Sequence, residues 1–366
     1  MIERIKKFGR PIKAGLRNLY HYLRWAVASE TYSCDPEVAF QKLSELAPSP
    51  GTSAITDNYI GPKRFDLTII VPAYNSEKWL HECVESILGQ KTQYSFQVIF
   101  VDDGSSDRTP EILDSYTSDP RVVVIHQENR GYSGARNAAL KKLQSHYVMF
   151  VDSDDILLPG AIERLLGEAV SRHGDIVEGN GYRFDEHGRL GLIKPKQREQ
   201  EIWGGPCLKV IRSELLEHLE FPMGYLYEDT IISTLLVPQA KRVITIPDEI
   251  YGYRIHGSSI TQKHTADPNR VHSFWIMLQI HADMKALRLE KNYESYCRTM
   301  RHIIFTYRRC ILLPVDIKKL IFVCTGTFLQ THYAEHLNTH DAYYRLSCAL
   351  QKHQYGKYCV LCETMR

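Results

Sequence analysis

The sequence predicts an α/β protein with a doubly wound, largely parallel sheet at its centre and helices at both ends. Three observations predict it. From about residue 65, short β-branched runs alternate with amphipathic stretches, the pattern of βαβ units. Polar clusters at residues 72–75, 102–107 and 152–155 directly follow apolar runs, and in such sheets ligands bind beyond the carboxyl ends of the strands. From about residue 267 onward, apolar residues recur at helical spacing.

In order along the chain, residues 67–71, 97–101, 122–126 and 147–151 read as strands. Residues 77–88, 109–116 and 131–143 read as helices, with Ser76 and Asp107 as N-terminal caps of the first two. Residues 175–178 are expected to form a further strand and 186–200 a polar loop. Helices are expected over 230–236, 271–287, 293–312 and 343–352, and the Pro-Ser-Pro-Gly-Thr-Ser run at 48–53 reads as a linker.

Of the 366 residues, 43% are hydrophobic and 24% charged. Those proportions exclude a disordered, collagen-like or disulfide-scaffold protein. Nine scattered cysteines, an odd number, suit a reducing cytoplasm better than a disulfide framework. Cys359 and Cys362 lack the further ligands a tetrahedral zinc site requires and read as free thiols. No window reaches the roughly 18 apolar residues of a membrane-spanning helix; even 311–329 is broken by Asp316, Lys318 and Lys319. The N-terminus lacks the apolar core and cleavage site of a secretory signal and is read as retained.

The net charge of +2 conceals a segment, residues 1–27, that carries +6 and leaves −4 elsewhere. Its apolar positions recur at near-helical spacing, which predicts a basic helix. Such a helix can lie on an anionic membrane surface, dock on the C-terminal helices, or bind a partner chain.

The strand-end clusters carry the chemistry. Asp102 and Asp103 precede a Gly-Ser turn, where a carboxylate can accept a hydrogen bond from a base N–H or a ribose hydroxyl; an Asp-rich turn capping the next helix fits as well. Asp152, Asp154 and Asp155 place three carboxylates in four positions. So crowded, they repel unless a hard divalent cation sits among them, or unless the loop is solvated.

Together, in this order and spacing, the clusters resemble the nucleotide-sugar glycosyltransferases of family 2, with their GT-A fold. The matching residues are Val71-Pro72-Ala73-Tyr74-Asn75, the run from Asp102 to Asp107, the run from Asn129 to Asn137, Asp152-Ser153-Asp154, Glu228-Asp229 and the run from Tyr253 to Thr261. The resemblance spans residues 65–262 and implies a GT-A catalytic domain over 61–265. A basic N-terminal extension and linker over 1–60 and a helical region over 266–366 flank it.

The resemblance also assigns roles. Pro72, Tyr74, Asp102 and Asp103 would contact uracil and ribose, Asp102 being the residue expected on the base. Arg136 would reach toward the base or the diphosphate. Asp154 would ligate Mn2+ or Mg2+ bridging the donor diphosphate, with Asp152 on the ribose or metal shell and Ser153 beside them. His256, with Ser258 and Ser259, would complete the metal or diphosphate site. Asp229 would deprotonate the acceptor, which makes the reaction inverting; alternatively Glu228 and Asp229 simply open a helix. Lys209 and Arg212 are a further candidate phosphate contact, and Cys207 stands where the family has a tryptophan.

The expected partners are a nucleotide-sugar donor, UDP-linked, and a glycan or lipid-linked acceptor in cell-surface polysaccharide or glycoconjugate synthesis. The group transferred would be a hexosyl or N-acetylhexosaminyl unit. Peripheral membrane contact and an oligomer are compatible with this, and nucleic acid is not expected. A catalytically silent partner subunit would keep the same fold. A sugar nucleotidyltransferase would instead open with a Gly-rich, Arg-containing loop where this chain has residues 71–75.

Overall fold

A computed structural model describes residues 28–57, 60–193, 202, 204–257 and 266–365. The basic segment 1–27, Ser258 and Ser259 lie outside the described residues. The chain divides into two compact units: one of Pro50–Lys263 with Gln279–Leu289, the other of the residues up to Ser49 with His264–Leu278 and Glu290–Arg366.

The first unit is built on a sheet. Its strands are β1 (Phe65–Ala73), β2 (Phe96–Asp102), β3 (Val122–His126), β4 (Ser145–Phe150), β5 (Ile156–Leu157), β6 (Ile176–Asp185), β7 (Gly188–Leu192), β8 (Lys209–Arg212) and β9 (Val243–Arg254). Their order is β3-β2-β1-β4-β8-β6-β9-β5, with β7 paired to β6. Strands β1 and β2 are buried nearly throughout, as near-continuous apolar runs in a covered sheet should be. β3, at the edge, alternates between partial burial and exposure.

The chain winds from β1 through β2 to β3 on one side and places β4 on the other, so the strand order reverses between β1 and β4. That is the crevice in which such sheets bind ligands. All four of these strands run parallel. Beyond β4 the sheet is mixed: β8 is antiparallel to both β4 and β6, and β9 is parallel to β6 and antiparallel to β5.

Helices α2 (Leu80–Leu88) and α5 (Ala161–Ser171) cover one face, packing Leu80, Val84, Ile87, Ile162, Leu165 and Leu166 against Ile69, Val71, Phe100 and Met149. Between strands lie α3 (Thr109–Asp114) and α4 (Gly131–Leu140). Ser76 does not cap α2, whose N-cap position is Trp79; the Ser76 hydroxyl instead lies 2.7 Å from Ser153 Oγ. Asp107 does accept from the Thr109 amide, at 2.9 Å.

Three further expectations are corrected. Part of the predicted loop at 186–200 is strand β7, an exposed edge strand with no apolar alternation to betray it. The helix expected over 230–236 does start at Thr230, but residues 232–236 are π-helical and the helix runs on through Val237–Gln239. Lys209 cannot meet a phosphate from solvent: its Nζ lies 3.4 Å from Glu178 Oε2 and both side chains are fully buried. Lys209→Met is expected to cost about 3–5 kcal/mol by removing the cation that faces the buried Glu178 carboxylate, read from urea unfolding. Adding Glu178→Gln should recover part of the loss.

The other unit is helical: α1 (Pro36–Leu46), the first part of α6 (His272–Ala286), α7 (Tyr293–Arg309), α8 (Val315–Tyr333), α9 (Tyr344–Gln351) and α10 (Tyr355–Thr364). Asp35 caps α1 by accepting from the Glu37 and Val38 amides, and Pro36 sits in the first turn where its missing N–H costs nothing. The core is aromatic. The Trp275 indole donates to Ala47 O at 2.7 Å, and the Phe322 and Tyr307 rings lie 5.0 and 5.6 Å from that of Tyr358. All nine cysteines are free thiols. Among the described residues no helix is long and apolar enough to cross a membrane.

Candidate active site

The carboxyl ends of β1, β2 and β4 converge through their turns. β1 and β4 stay paired only as far as Ile70 and Phe150, and Pro72 follows where the two strands part. Tyr74, just past β1, is 49% exposed, which leaves its ring available as a stacking surface. Asn75 adopts a left-handed φ of 48°, and its Oδ1 accepts from the Ser106 amide at 2.8 Å. The Ser76 amide donates to Thr109 Oγ1 and the Glu77 amide to Asp107 Oδ2. Loops 73–77 and 102–109 are thus laced into one edge.

Asp102 and Asp103 are both buried in that edge. Asp102 Oδ1 accepts from the Ser105 amide and Oδ2 faces His126 Nδ1, each at 3.0 Å. Asp103 Oδ1 accepts from Gln127 Nε2 at 2.6 Å and from the Arg130 amide at 2.9 Å. The intervening turn needs Gly104: its φ is +73°, and a Cβ there would stand 2.8 Å from Asn129 N.

The acidic cluster after β4 divides its labour. Asp155 is buried, accepting from Tyr251 Oη and the Arg254 amide, each at 2.7 Å. Burial and the neighbouring Asp154 and Asp152 charges hold its carboxyl well above the usual range. Asp154 faces outward, with 31% of its side chain exposed, and its Oδ2 lies 2.6 Å from His256 Nε2. The Trp79 ring lies against His256 at 4.0 Å between centroids. Asp152 receives Arg136 Nη2 at 3.5 Å; burial and the Asp154 charge raise its pKa while Arg136 opposes them. Ser153 is buried against Ser76.

Arg136 does not extend toward solvent as a base or diphosphate contact would. It is buried on α4, donates to Glu228 Oε1 at 2.6 Å, and lies 5.2 Å from the Phe221 ring. Its guanidinium therefore joins the β4 turn to the Glu228-Asp229 pair. Burial pushes Glu228 up to about 7, against the pull of Arg136. Asp229, half-buried, is the more exposed of the two. Its main-chain carbonyl accepts from the Ile232 amide at 3.0 Å. Cys207 is a buried thiol whose pKa is pushed up by burial and by the nearby Asp152 and Asp155 charges.

Arg136→Leu is expected to destabilise the chain by about 3–5 kcal/mol, because the buried Glu228 carboxylate loses its cation and the partly exposed Asp152 loses its partner. The sign with pH is fixed. Glu228, with its folded pKa above its unfolded value, loses stability as pH rises, and without Arg136 that rise in pKa grows. The deficit should be larger at pH 8 than at pH 5 in urea titrations.

Four groups had no role in the sequence: His126, Trp79, Tyr251 and Arg254. His126 carried the clearest signal, since β2 and β3 both end in polar residues at the same register, Asp102 opposite His126. Arg254 donates to Asp154 O and Glu82, a clamp that only tertiary structure reveals.

The family model for glycosyl transferase family 2 matches residues 68–212. The chain is 33% identical to glycosyltransferase GlyG of Streptococcus pneumoniae over 218 residues, 53% of this chain and 72% of that one. It is 31% identical to GlyA of the same species over 226 residues, 54% of this chain but 32% of GlyA. The Bacillus subtilis minor teichoic acid biosynthesis protein GgaB is 26% identical over 222 residues, 56% of this chain and 25% of GgaB. Among solved structures, residues 1–349 of Staphylococcus aureus TarS in complex with UDP-GlcNAc superpose with a TM-score of 0.64 at 20% identity, covering 82% of this chain and 91% of that one. The mixed sheet with its flanking helices is the GT-A fold. The chain spans less than two thirds of the length of most of these relatives, but with GlyG matched over most of its length the family model and the strand-end clusters agree: the chain belongs to glycosyltransferase family 2.

Proposed function

We propose that the chain transfers a sugar, a hexosyl or N-acetylhexosaminyl unit, from a UDP-linked donor to a glycan or lipid-linked acceptor, with inversion and with a divalent cation. The setting proposed is cell-surface polysaccharide or glycoconjugate synthesis, which the GgaB likeness supports. The UDP-GlcNAc held by TarS supports the donor class. The observation that carries the reading is the Arg136 bridge, which ties Asp152 of the β4 turn to Glu228 beside Asp229. Donor-side and acceptor-side carboxylates are thereby fixed relative to one another.

Tyr74 would stack on the uracil, with Pro72, Asp102 and Asp103 lining the base and ribose side and Asp152 and Ser153 next to the ribose. Asp229 would take the acceptor hydroxyl proton. The acceptor oxygen bonds to the anomeric carbon as the bond from that carbon to the diphosphate oxygen breaks on the opposite face. UDP departs, and the proton remains on the Asp229 carboxyl.

A carboxylate and an imidazole, Asp154 and His256, form a donor set that suits Mn2+ better than Mg2+. Among the described residues no group of three or more metal-ligating side chains occurs, so these two would hold the ion together with the donor diphosphate and water. When bound, the ion would neutralise charge on the departing diphosphate. Ser258 and Ser259 are proposed to contact the diphosphate.

Purified full-length chain should release UDP from at least one UDP-sugar in a donor panel, with loss on chelation and recovery with Mn2+. The product's anomeric configuration, read by NMR, should be opposite to the donor's. Silence with every nucleotide sugar would favour a non-catalytic partner subunit, and retention of configuration would remove Asp229 as a general base.

A further inference from the structure

His126 ends β3 and sits opposite Asp102 at the end of β2. Its Nδ1 lies 3.0 Å from Asp102 Oδ2 and its Nε2 3.1 Å from Asp114 Oδ1. A neutral imidazole has one N–H and one lone pair, so it can donate to only one of two flanking carboxylates and must turn a lone pair on the other. Only the imidazolium satisfies both. Asp102 from β2 and Asp114 from α3 are the charged groups that face the ring among the described residues, and the hydrogen bond to Asp102 is the largest influence raising its pKa.

The two carboxylates are not equivalent. The Asp114 side chain is 61% exposed and can swing into water, whereas that of Asp102 is 5% exposed. The other Asp102 oxygen accepts the Ser105 amide, from its own turn. His126 is thus the one side chain among the described residues that hydrogen-bonds Asp102.

We propose that His126 is a positioning residue for donor recognition, its imidazolium holding the Asp102 carboxylate toward the imide N–H of a uracil base. The proposal rests on the reading of Asp102 as the base contact. Loss of the His126 proton removes the ion pair and leaves one imidazole N–H for two carboxylates, so the bond to Asp102 is weakened and is competed for by Asp114. Asp102 is then less firmly oriented, and nucleoside affinity falls as pH rises.

The test uses uridine, which carries no phosphate and needs no metal, titrated calorimetrically into the full chain from pH 6 to 8.5. Wild type is expected to lose affinity by about three- to tenfold over that range. His126→Gln should bind at the weak, high-pH level throughout, with no pH dependence. Asp114→Asn should match wild type at pH 6 and lose affinity at lower pH than wild type does, since it removes one of the charges that favour the imidazolium. A wild-type affinity level across the range, or a His126→Gln variant that binds uridine as wild type does, overturns the role of His126. Asp102→Asn separates the two failures. If it binds uridine normally, Asp102 is not the base contact and the underlying reading fails; if it loses binding while His126→Gln keeps it, only the His126 proposal fails.

Discussion

Asp154→Ala is expected to reduce sugar transfer by about a thousandfold or more, the scale of the several kcal/mol a metal supplies to transition-state charge. The fold should survive. Asp154, unlike the buried Asp155, is partly exposed, and its charge raises the pKa of both Asp152 and Asp155. Removing it relieves repulsion between like charges, so the melting temperature should stay level or rise slightly. Asp155→Ala should do the reverse and destabilise the chain, because Tyr251 Oη and the Arg254 amide both donate to that carboxylate. Mn2+ binding, followed by its paramagnetic signal, gives a readout independent of turnover and should be lost in Asp154→Ala. Full activity in that variant, or unchanged Mn2+ affinity, would remove Asp154 as a ligand.

The contrast between Asp154 and Asp155 shows where sequence reasoning stops. The acidic cluster itself was readable: an apolar run buried on both faces ends abruptly in carboxylates, as β1 and β2 also end in polar residues. Which carboxylate is structural was not readable, because the answer lies on β9, about a hundred residues downstream, in Tyr251 and Arg254. Ser76 misled for the same reason. A serine before an apolar periodic stretch reads as a cap, but a partner distant in sequence, Ser153, takes its hydroxyl. Arg136 read as reaching toward the base or the diphosphate, because the sequence does not show that the fold places Glu228 and Asp152 around it. Lys209 read as a phosphate contact because its buried partner, Glu178, is identified only by the pairing of β6 with β8. Strand ends and helix periodicity are local properties and survive in sequence; the pairing of buried charges is not local.

Asp229→Asn tests the other half of the chemistry, and turnover is expected to fall by about 10²–10⁴-fold, the usual worth of a general base. The neighbouring carboxylates have been driven apart in character. Glu228 is buried against Arg136, and burial raises its pKa, so it serves as the counter-charge to that guanidinium. Asp229 is the more exposed carboxylate, free of the Arg136 hydrogen bond among the described contacts, and suited to accept a proton. Asparagine preserves the shape of the side chain and leaves intact the main-chain bond from the Ile232 amide to the residue 229 carbonyl. Because the Asp229 charge also raises Glu228, the substitution should lower the Glu228 pKa, and the Arg136 bridge should tighten rather than break. Donor KM and UDP affinity should therefore stay within about threefold of wild type while kcat collapses, the pattern of an interaction made only in the transition state. A variant that instead keeps kcat and loses UDP affinity would place Asp229 in the donor site, and the acceptor's proton would need another base.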